Sequence, residues 1–532
     1  MSQEVSTYLD VGVVQIQHYL TQPRHLRSQR DRSAMIKVAT SRYPEEYADP
    51  EQAQRAGLAQ DGEFDPIAQV CAHLSEERFP GWRRNDAAGD IDGVVSLVRR
   101  EPVNGDGPPA QADNPDEAMT KTMTQIANIV IAHLRRKLPH AEFSARFTGP
   151  THALYVEAYP TMKELQASGL AFGNDYPALL TCDECGRTPV TAQYEFQEPT
   201  ARTVRRVCED CGSRERLGRF GKANPKNSAQ ASPSLTVEEW LLEAINQCLR
   251  SKIRPAEHFA DLANAQSGRR VNHLATVFID GDAMGVRFQE LTDPKQREKA
   301  VAGLSEVAKK ALIGATKAIC KANDAILPVI PHVLGGDDAV ATVTATAAWP
   351  FVREFLKLFE EEAGGVLPGA TASAAIVFAK HTTPFALQFD RAERVLRATK
   401  RAGARLRYEA HLKNPIAYSS KGTSSIGWAD FTREYIVPTD RFHPTIRDLN
   451  LMAPKLEKLA QQLTATRRES WIRLLGEPDR ETVRDQLCSD ARRFDLKELV
   501  SPYLNPDPGS GGALRDGLSE LLEHLAMLRW WA

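Results

Sequence analysis

Leu334-Gly335-Gly336-Asp337-Asp338-Ala339-Val340 lies between an apolar run, Ala325 to Leu334, and an alternating Ala/Val/Thr run, Ala339 to Ala345. This pattern predicts a β-hairpin with two carboxylates at its tip. The glycines supply the backbone freedom of a tight turn and let a bulky ligand approach the main chain. Two adjacent acids repel one another unless a cation lies between them. Magnesium or manganese suits that place, because both prefer oxygen donors and can share coordination with phosphates.

A second acidic cluster lies upstream. His273-Leu274-Ala275-Thr276-Val277-Phe278-Ile279 reads as a buried strand that runs into Asp280-Gly281-Asp282-Ala283-Met284-Gly285. Residues two apart on a strand share a face, so Asp280 and Asp282 are expected to point together. Between the clusters, Val301, Leu304, Ala308, Leu312, Ala315 and Ile319 are spaced 3, 4, 4, 3 and 4, the stripe of a helix. Strand, crossover helix and hairpin set the two acid clusters on adjacent strands. Pro328 and Pro331 put the hairpin's first strand at the sheet edge, where a missing N–H is tolerated. A helix over about 350–362, a strand from Ala372 to Ala379 and a helix over about 388–406 complete the order β-α-β-β-α-β of a ferredoxin-like palm. Two acid clusters at matching points of one palm point to nucleotidyl transfer by two metal ions about 3.5–4 Å apart.

These stretches, with Ser373-Ala374-Ala375-Ile376-Val377 and Lys400, resemble the second palm of the large subunit of type III CRISPR effector complexes. That palm is a cyclic-oligoadenylate synthase related to the GGDEF diguanylate cyclases. The resemblance spans residues 271–405. It implies ATP as substrate, 3′–5′ linked rings as product, and Asp280, Asp282, Asp337 and Asp338 as carboxylates for two Mg2+ or Mn2+ ions. It also implies Gly281, Gly285, Gly335, Gly336 and Ser373 against the nucleotide, and Lys400 on its triphosphate. Guide RNA, other subunits of the complex and an activating target RNA are the partners it implies. A stand-alone cyclase with another product, such as a cyclic dinucleotide, stays open, as does a non-catalytic scaffold subunit that holds RNA. Four intact acids speak against the scaffold, since repelling carboxylates are kept only where a metal needs them.

The 532 residues suggest three or four domains. A net charge of −2 excludes bulk electrostatic binding of nucleic acid and leaves it to local patches or partners. No apolar run approaches the length of a membrane span, no signal-peptide core is present, and cysteines in CxxC pairs favour a reducing compartment, so a cytoplasmic location with no membrane partner is expected.

The expected fold is α+β: two ferredoxin-like palms, a small four-cysteine zinc module and a C-terminal helical domain. Residues 1–160 form the first, non-catalytic palm, opening on the strand Tyr8 to Gln15. Val14-Gln15, Arg30-Asp31 and Ser33 match in order the pattern that opens the silent palm in the resembling family. A helix over Ala118 to Leu138 and a strand over Ala153 to Ala158 follow, and Asp90 and Asp92 read as a solvated turn. No histidine is followed by aspartate, as the family's N-terminal nuclease would require, so no DNase of that type is expected. Residues 161–235 hold the zinc module and a linker at 221–234. Cys182-x2-Cys185 and Cys208-x2-Cys211, with 22 residues between the pairs, suit a structural Zn2+ ribbon, with Gly186 and Gly212 in its knuckle turns. The catalytic palm takes 236–415, and 416–532 is the C-terminal helical domain, turning helical from 425, with stripes Leu449/Met452/Leu456/Leu459/Leu463 and Leu521/Leu522/Leu525/Leu528 and a loop at 505–512. The basic residues Arg391, Arg394, Arg397 and Arg401 around Lys400 read mostly as a solvated face.

Overall fold

The structure, a computed structural model, describes residues 5–14, 16–21, 32, 36, 39–40, 66–88, 93–101, 115–165, 180–185, 189–197, 202–209, 211, 237–265, 272–291, 294–413, 423–431, 443–504 and 517–531. Asp90, Asp92, Gly186, Gly212, the linker at 221–234 and the loop at 505–512 lie outside these residues. The chain divides into two compact units, Met1–Glu243 with 285–305 and 332–336, and Ala244–Met284 with 306–331 and 337–532.

In the first unit β1 (Val5–Val13) leads to α1 (Ile16–Thr21), α2 (Pro66–Glu76), β2 (Arg83–Arg84), β3 (Val94–Glu101), α3 (Pro115–Lys137), β4 (Phe143–His152), α4 (Tyr155–Ala158) and β5 (Lys163–Leu165). The sheet order is β2-β3-β1-β4-β5, and β1 is antiparallel to both its neighbours. Alternation along β1 divides its side chains: Leu9 and Val11 join a core with Ile67, Val70 and Leu74 of α2 and Ile126, Val130 and Leu134 of α3. Tyr8 packs instead with Val98, Tyr155 and Ala158. The strand expected over Ala153–Ala158 is instead a turn of helix, and the strand lies earlier, at Phe143–His152. Tyr155 and Ala158, three apart, are both buried, so helical spacing outweighs the β propensity of the run. Pairing of β5 with β4 carries this sheet past the expected boundary at 160. A separate hairpin, β6 (Ala192–Gln197) and β7 (Arg202–Val207), adjoins the cysteines.

The second unit and its connections hold α5 (Val237–Leu249), α6 (Phe259–Asn264), β8 (His273–Gly281), α7 (Met284–Glu290), α8 (Pro294–Ile319), β9 (Val329–Gly335), β10 (Asp338–Thr344), α9 (Ala348–Ala363), β11 (Ala372–Lys380), α10 (Phe385–Lys413) and β12 (Ser425–Asp430). Strand order is β12-β11-β8-β10-β9, so the hairpin's first strand lies at the edge, as its prolines require. β11 is buried along both faces from Ala372 to Ala379, matching its unbroken run of small and apolar residues.

One expectation is corrected. β12 pairs parallel with β11, Ser373 opposite Ser425 and Phe378 opposite Asp430, so a fifth strand extends this sheet where residues from 425 on were read as helical. Among the described residues that follow, the elements are helices: α11 (Ile446–Gln462), α12 (Ala465–Leu475), α13 (Arg480–Arg493), α14 (Lys497–Leu504) and α15 (Gly517–Met527). Leu449, Leu456 and Leu459 and then Leu521, Leu525 and Leu528 are buried, as their spacing predicts. Trp530 stacks on Phe378 of β11 with ring centroids 4.8 Å apart and donates its indole N–H to Asp430 of β12 at 3.0 Å.

Candidate active site

Register brings the two acidic stretches together. Ala339 of β10 faces Ile279 of β8, which sets Asp338, the first residue of β10, opposite Asp280. Gly336 turns the hairpin at φ +59°, a conformation glycine adopts without strain. One carboxylate oxygen from each of Asp280, Asp337 and Asp338 lies within 4.8 Å of the others. Burial, followed by the charge of Asp280, raises the Asp337 carboxyl above the usual range. Burial and the Asp280 carboxylate push Asp338 up to about 9. Asp338 Oδ1 is buried without a hydrogen-bond partner. Three crowded carboxylates with an unsatisfied buried oxygen fit a hard divalent cation, which would take those oxygens as ligands.

Gly281 belongs to the same construction. A Cβ there would meet Asp337 Oδ2 at 2.2 Å and Met284 Cε at 2.6 Å, so the Asp337 carboxylate occupies space that only glycine leaves. Lys400, from α10, spans the other side. Its ammonium pairs with Asp280 Oδ2 and donates to the Gly281 carbonyl at 2.7 Å. Arg394, Arg397 and Arg401 on the same helix are exposed, and Arg397 pairs with Glu393 one turn away. The tertiary fold thus draws Lys400 into the site and leaves these three on a solvated face.

Asp282 does not join Asp280. β8 ends at Gly281, and beyond it the chain turns through Ala283 at φ +54°, so the two-residue alternation of a strand no longer applies. The Asp282 carboxylate is buried, accepting from Thr371 Oγ1 at 2.9 Å and Ser373 Oγ at 2.7 Å, while its N–H donates to the Thr371 carbonyl at 2.8 Å. Ser373 lies opposite Asp280 in register but spends its hydroxyl on Asp282. Sequence reading missed Thr371; the Thr-x-Ser spacing that leads into β11 was the available signal. Gly285, in α7, has open space around its Cα.

Away from this site, one sulfur atom from each of Cys182, Cys185, Cys208 and Cys211 lies within 4.8 Å of the others. None of the four is in a disulfide, and Cys211 N–H donates to Cys208 Sγ at 3.4 Å, the backbone-to-sulfur bond of a knuckle turn. Its neighbours Cys182 and Cys185 push the Cys211 thiol up, because four crowded thiols cannot ionise together without a cation. Four thiolates at this spacing can hold a metal ion in a closed tetrahedron.

A five-stranded palm with three carboxylates at the junction of its central strands defines the class. Residues 273–408 match the family described as Cas10/Cmr2, second palm domain. The palm is therefore similar to the second palm of the Cas10/Cmr2 family over that stretch. Among solved structures, the Csm1–Csm4 subcomplex of the type III-A CRISPR-Csm interference complex aligns with TM-score 0.51 and 12% identity over 99% of this chain and 70% of that one. A Csm1–Csm4 cassette in complex with pppApA aligns with TM-score 0.51 and 12% identity, covering 98% and 69%. The cassette in complex with cA3 gives 0.50 and 11%, covering 98% and 70%. At these identities the likeness is one of fold. No curated protein matches the chain, and no helix among the described residues is long and apolar enough to cross a membrane.

Proposed function

We propose that this chain is a nucleotidyltransferase that joins ATP into cyclic oligoadenylates as the large subunit of a type III CRISPR-type effector complex in the cytoplasm. The observation that carries the reading is the convergence of Asp280, Asp337 and Asp338 within 4.8 Å, inside the segment that matches the Cas10/Cmr2 second palm. The fold likeness to Csm1, solved with pppApA and with cA3, supports the substrate and product class. Both five-stranded sheets, with their 4-1-3-2 order plus an outer strand, fit ferredoxin-like palms.

The reaction links the 3′-hydroxyl of one ATP to the α-phosphorus of a second. The new P–O bond forms as the bond to pyrophosphate breaks, and the hydroxyl proton leaves to solvent. Asp280, Asp337 and Asp338 would hold Mg2+ or Mn2+, which lowers the pKa of the attacking hydroxyl and neutralises charge on the departing pyrophosphate. The chain's own residues prepare that ground. Gly281 makes room for the Asp337 carboxylate, and the glycine turn at 335–336 lets a triphosphate approach the main chain. Asp282, tied to Thr371 and Ser373, fixes the end of β8 against β11. The Lys400 ammonium is a point charge for the phosphates. The four cysteines hold zinc in a structural role, and guide RNA, target RNA and neighbouring subunits are the partners of this reading.

Incubation of the purified protein with ATP and manganese, alone and with a guide complex and its target RNA, tests the proposal by mass spectrometry of the products. Rings of 3′–5′ linked AMP are expected. Turnover of GTP in preference to ATP, or no turnover under any condition, refutes it.

A further inference from the structure

The cation already seated in the candidate active site is the chain's own. Lys400 reaches from α10 onto Asp280 Oδ2 and the Gly281 carbonyl, the latter at 2.7 Å. Both acceptors are hard oxygens at the end of β8, and Asp280 is one of the three carboxylates whose oxygens crowd within 4.8 Å. An ammonium on a carboxylate and a main-chain carbonyl satisfies the same donors that a divalent cation would take. Its side chain is 28% exposed and carries its charge at the end of a four-carbon stem.

We propose that Lys400 is an exchangeable stand-in cation: it occupies the Asp280–Gly281 oxygens in the nucleotide-free protein, opposes entry of a free divalent ion, and moves to the triphosphate when metal and nucleotide arrive together. This deepens the nucleotidyltransferase reading and rests on it. The consequence is energetic coupling. Metal alone must displace an ammonium from two oxygens, whereas a triphosphate compensates that ammonium elsewhere, so each ligand raises the affinity of the other. The site then discriminates for the metal–nucleotide complex over the free ion.

The test titrates Mn2+ by electron paramagnetic resonance into zinc-replete protein, with and without α,β-methylene-ATP, whose P–C–P bridge prevents loss of pyrophosphate. Without nucleotide, Lys400→Met is expected to bind Mn2+ about tenfold more tightly than wild type, the low end of the value of a charged hydrogen bond. In that variant the tightening caused by the analogue should shrink by a similar factor. Lys400→Arg, which keeps a cation, should stay near wild type, as should Arg401→Met, which removes an exposed charge next door. Lys400→Gln repeats the experiment should the methionine variant fold poorly, judged by its melting temperature. Unchanged or weaker Mn2+ binding in the Lys400 variants overturns the stand-in role, and an equal gain in Arg401→Met reduces it to bulk charge and overturns it as well. Wild type that binds no Mn2+ even with the analogue refutes the metal-site reading itself, a separate and recognisable outcome.

Discussion

Replacing Gly281 by alanine would insert a methyl group 2.2 Å from Asp337 Oδ2 and 2.6–2.7 Å from the Met284 side chain, where ordinary contact begins at 3.4 Å. The obstructing atoms all belong to side chains, the Asp337 carboxylate and the Cγ and Cε of Met284. The main chain therefore keeps its place, and the fold loses no more than the cost of one or two off-rotamer side chains, about 0.5–1.5 kcal/mol each. The carboxylate, however, must retreat by about 1 Å, well beyond the roughly 0.2 Å tolerance of a metal–ligand distance. Disturbing a residue that positions a metal ligand should weaken Mn2+ binding about 10- to 100-fold, and displacement on this scale costs about a hundredfold in rate. Manganese titration by electron paramagnetic resonance reads the first effect and initial rates of pyrophosphate release the second, with a thermal melt as the control for folding. Gly285→Ala is the matched comparison: no atom lies within 4 Å of its added Cβ. An alanine in the first turn of α7 should leave both the melt and Mn2+ affinity near wild type. Wild-type affinity in Gly281→Ala would show that the close approach of Asp337 is incidental to the metal site.

Three further outcomes are expected. Asp282→Ala leaves the buried hydroxyls of Thr371 and Ser373 without their acceptor, costing about 1–3 kcal/mol per unpaired group, yet Mn2+ affinity should stay within a few-fold of wild type; a large loss of metal with an unchanged melt would return Asp282 to the ligand set. Asp338, held at about 9, binds its proton more tightly in the folded chain than in the unfolded one, so without added divalent cation the stability it contributes is lost as pH rises from the ordinary carboxylate range through about 9. Mn2+ affinity, which requires the proton to leave, climbs over the same interval, and Asp338→Asn should reduce this pH dependence of the melt; an Asn variant with the wild-type slope refutes the assignment. Cys182→Ser, or treatment with a strong chelator, should destabilise the first unit by the several kcal/mol or more that a structural zinc contributes to a small module, read as a lower melting temperature, whereas well-folded protein containing no zinc by elemental analysis would rule the zinc site out.

Much of the second palm was legible before any coordinates. The runs His273–Ile279, Ala325–Leu334, Ala339–Ala345 and Ala372–Ala379 and the helical stripe between them are local patterns, and burial periodicity is written residue by residue. The hairpin glycines, the edge prolines and the paired CxxC spacing are likewise local demands of backbone geometry and chelation, and the structure places each accordingly. What sequence periodicity could not decide was anything set by a partner distant in the chain. Ser425–Asp430 is too short to announce itself, and becomes a strand because β11 offers an unpaired edge. Asp280 and Asp282 look equivalent by alternation, yet the strand stops between them, and hydroxyls some 90 residues away capture Asp282. Arg394, Arg397, Lys400 and Arg401 form one basic stripe in the sequence. Only the packing of α10 against the sheet puts the Lys400 ammonium within reach of Asp280, because a helix face acquires a meaning when another element is laid beside it.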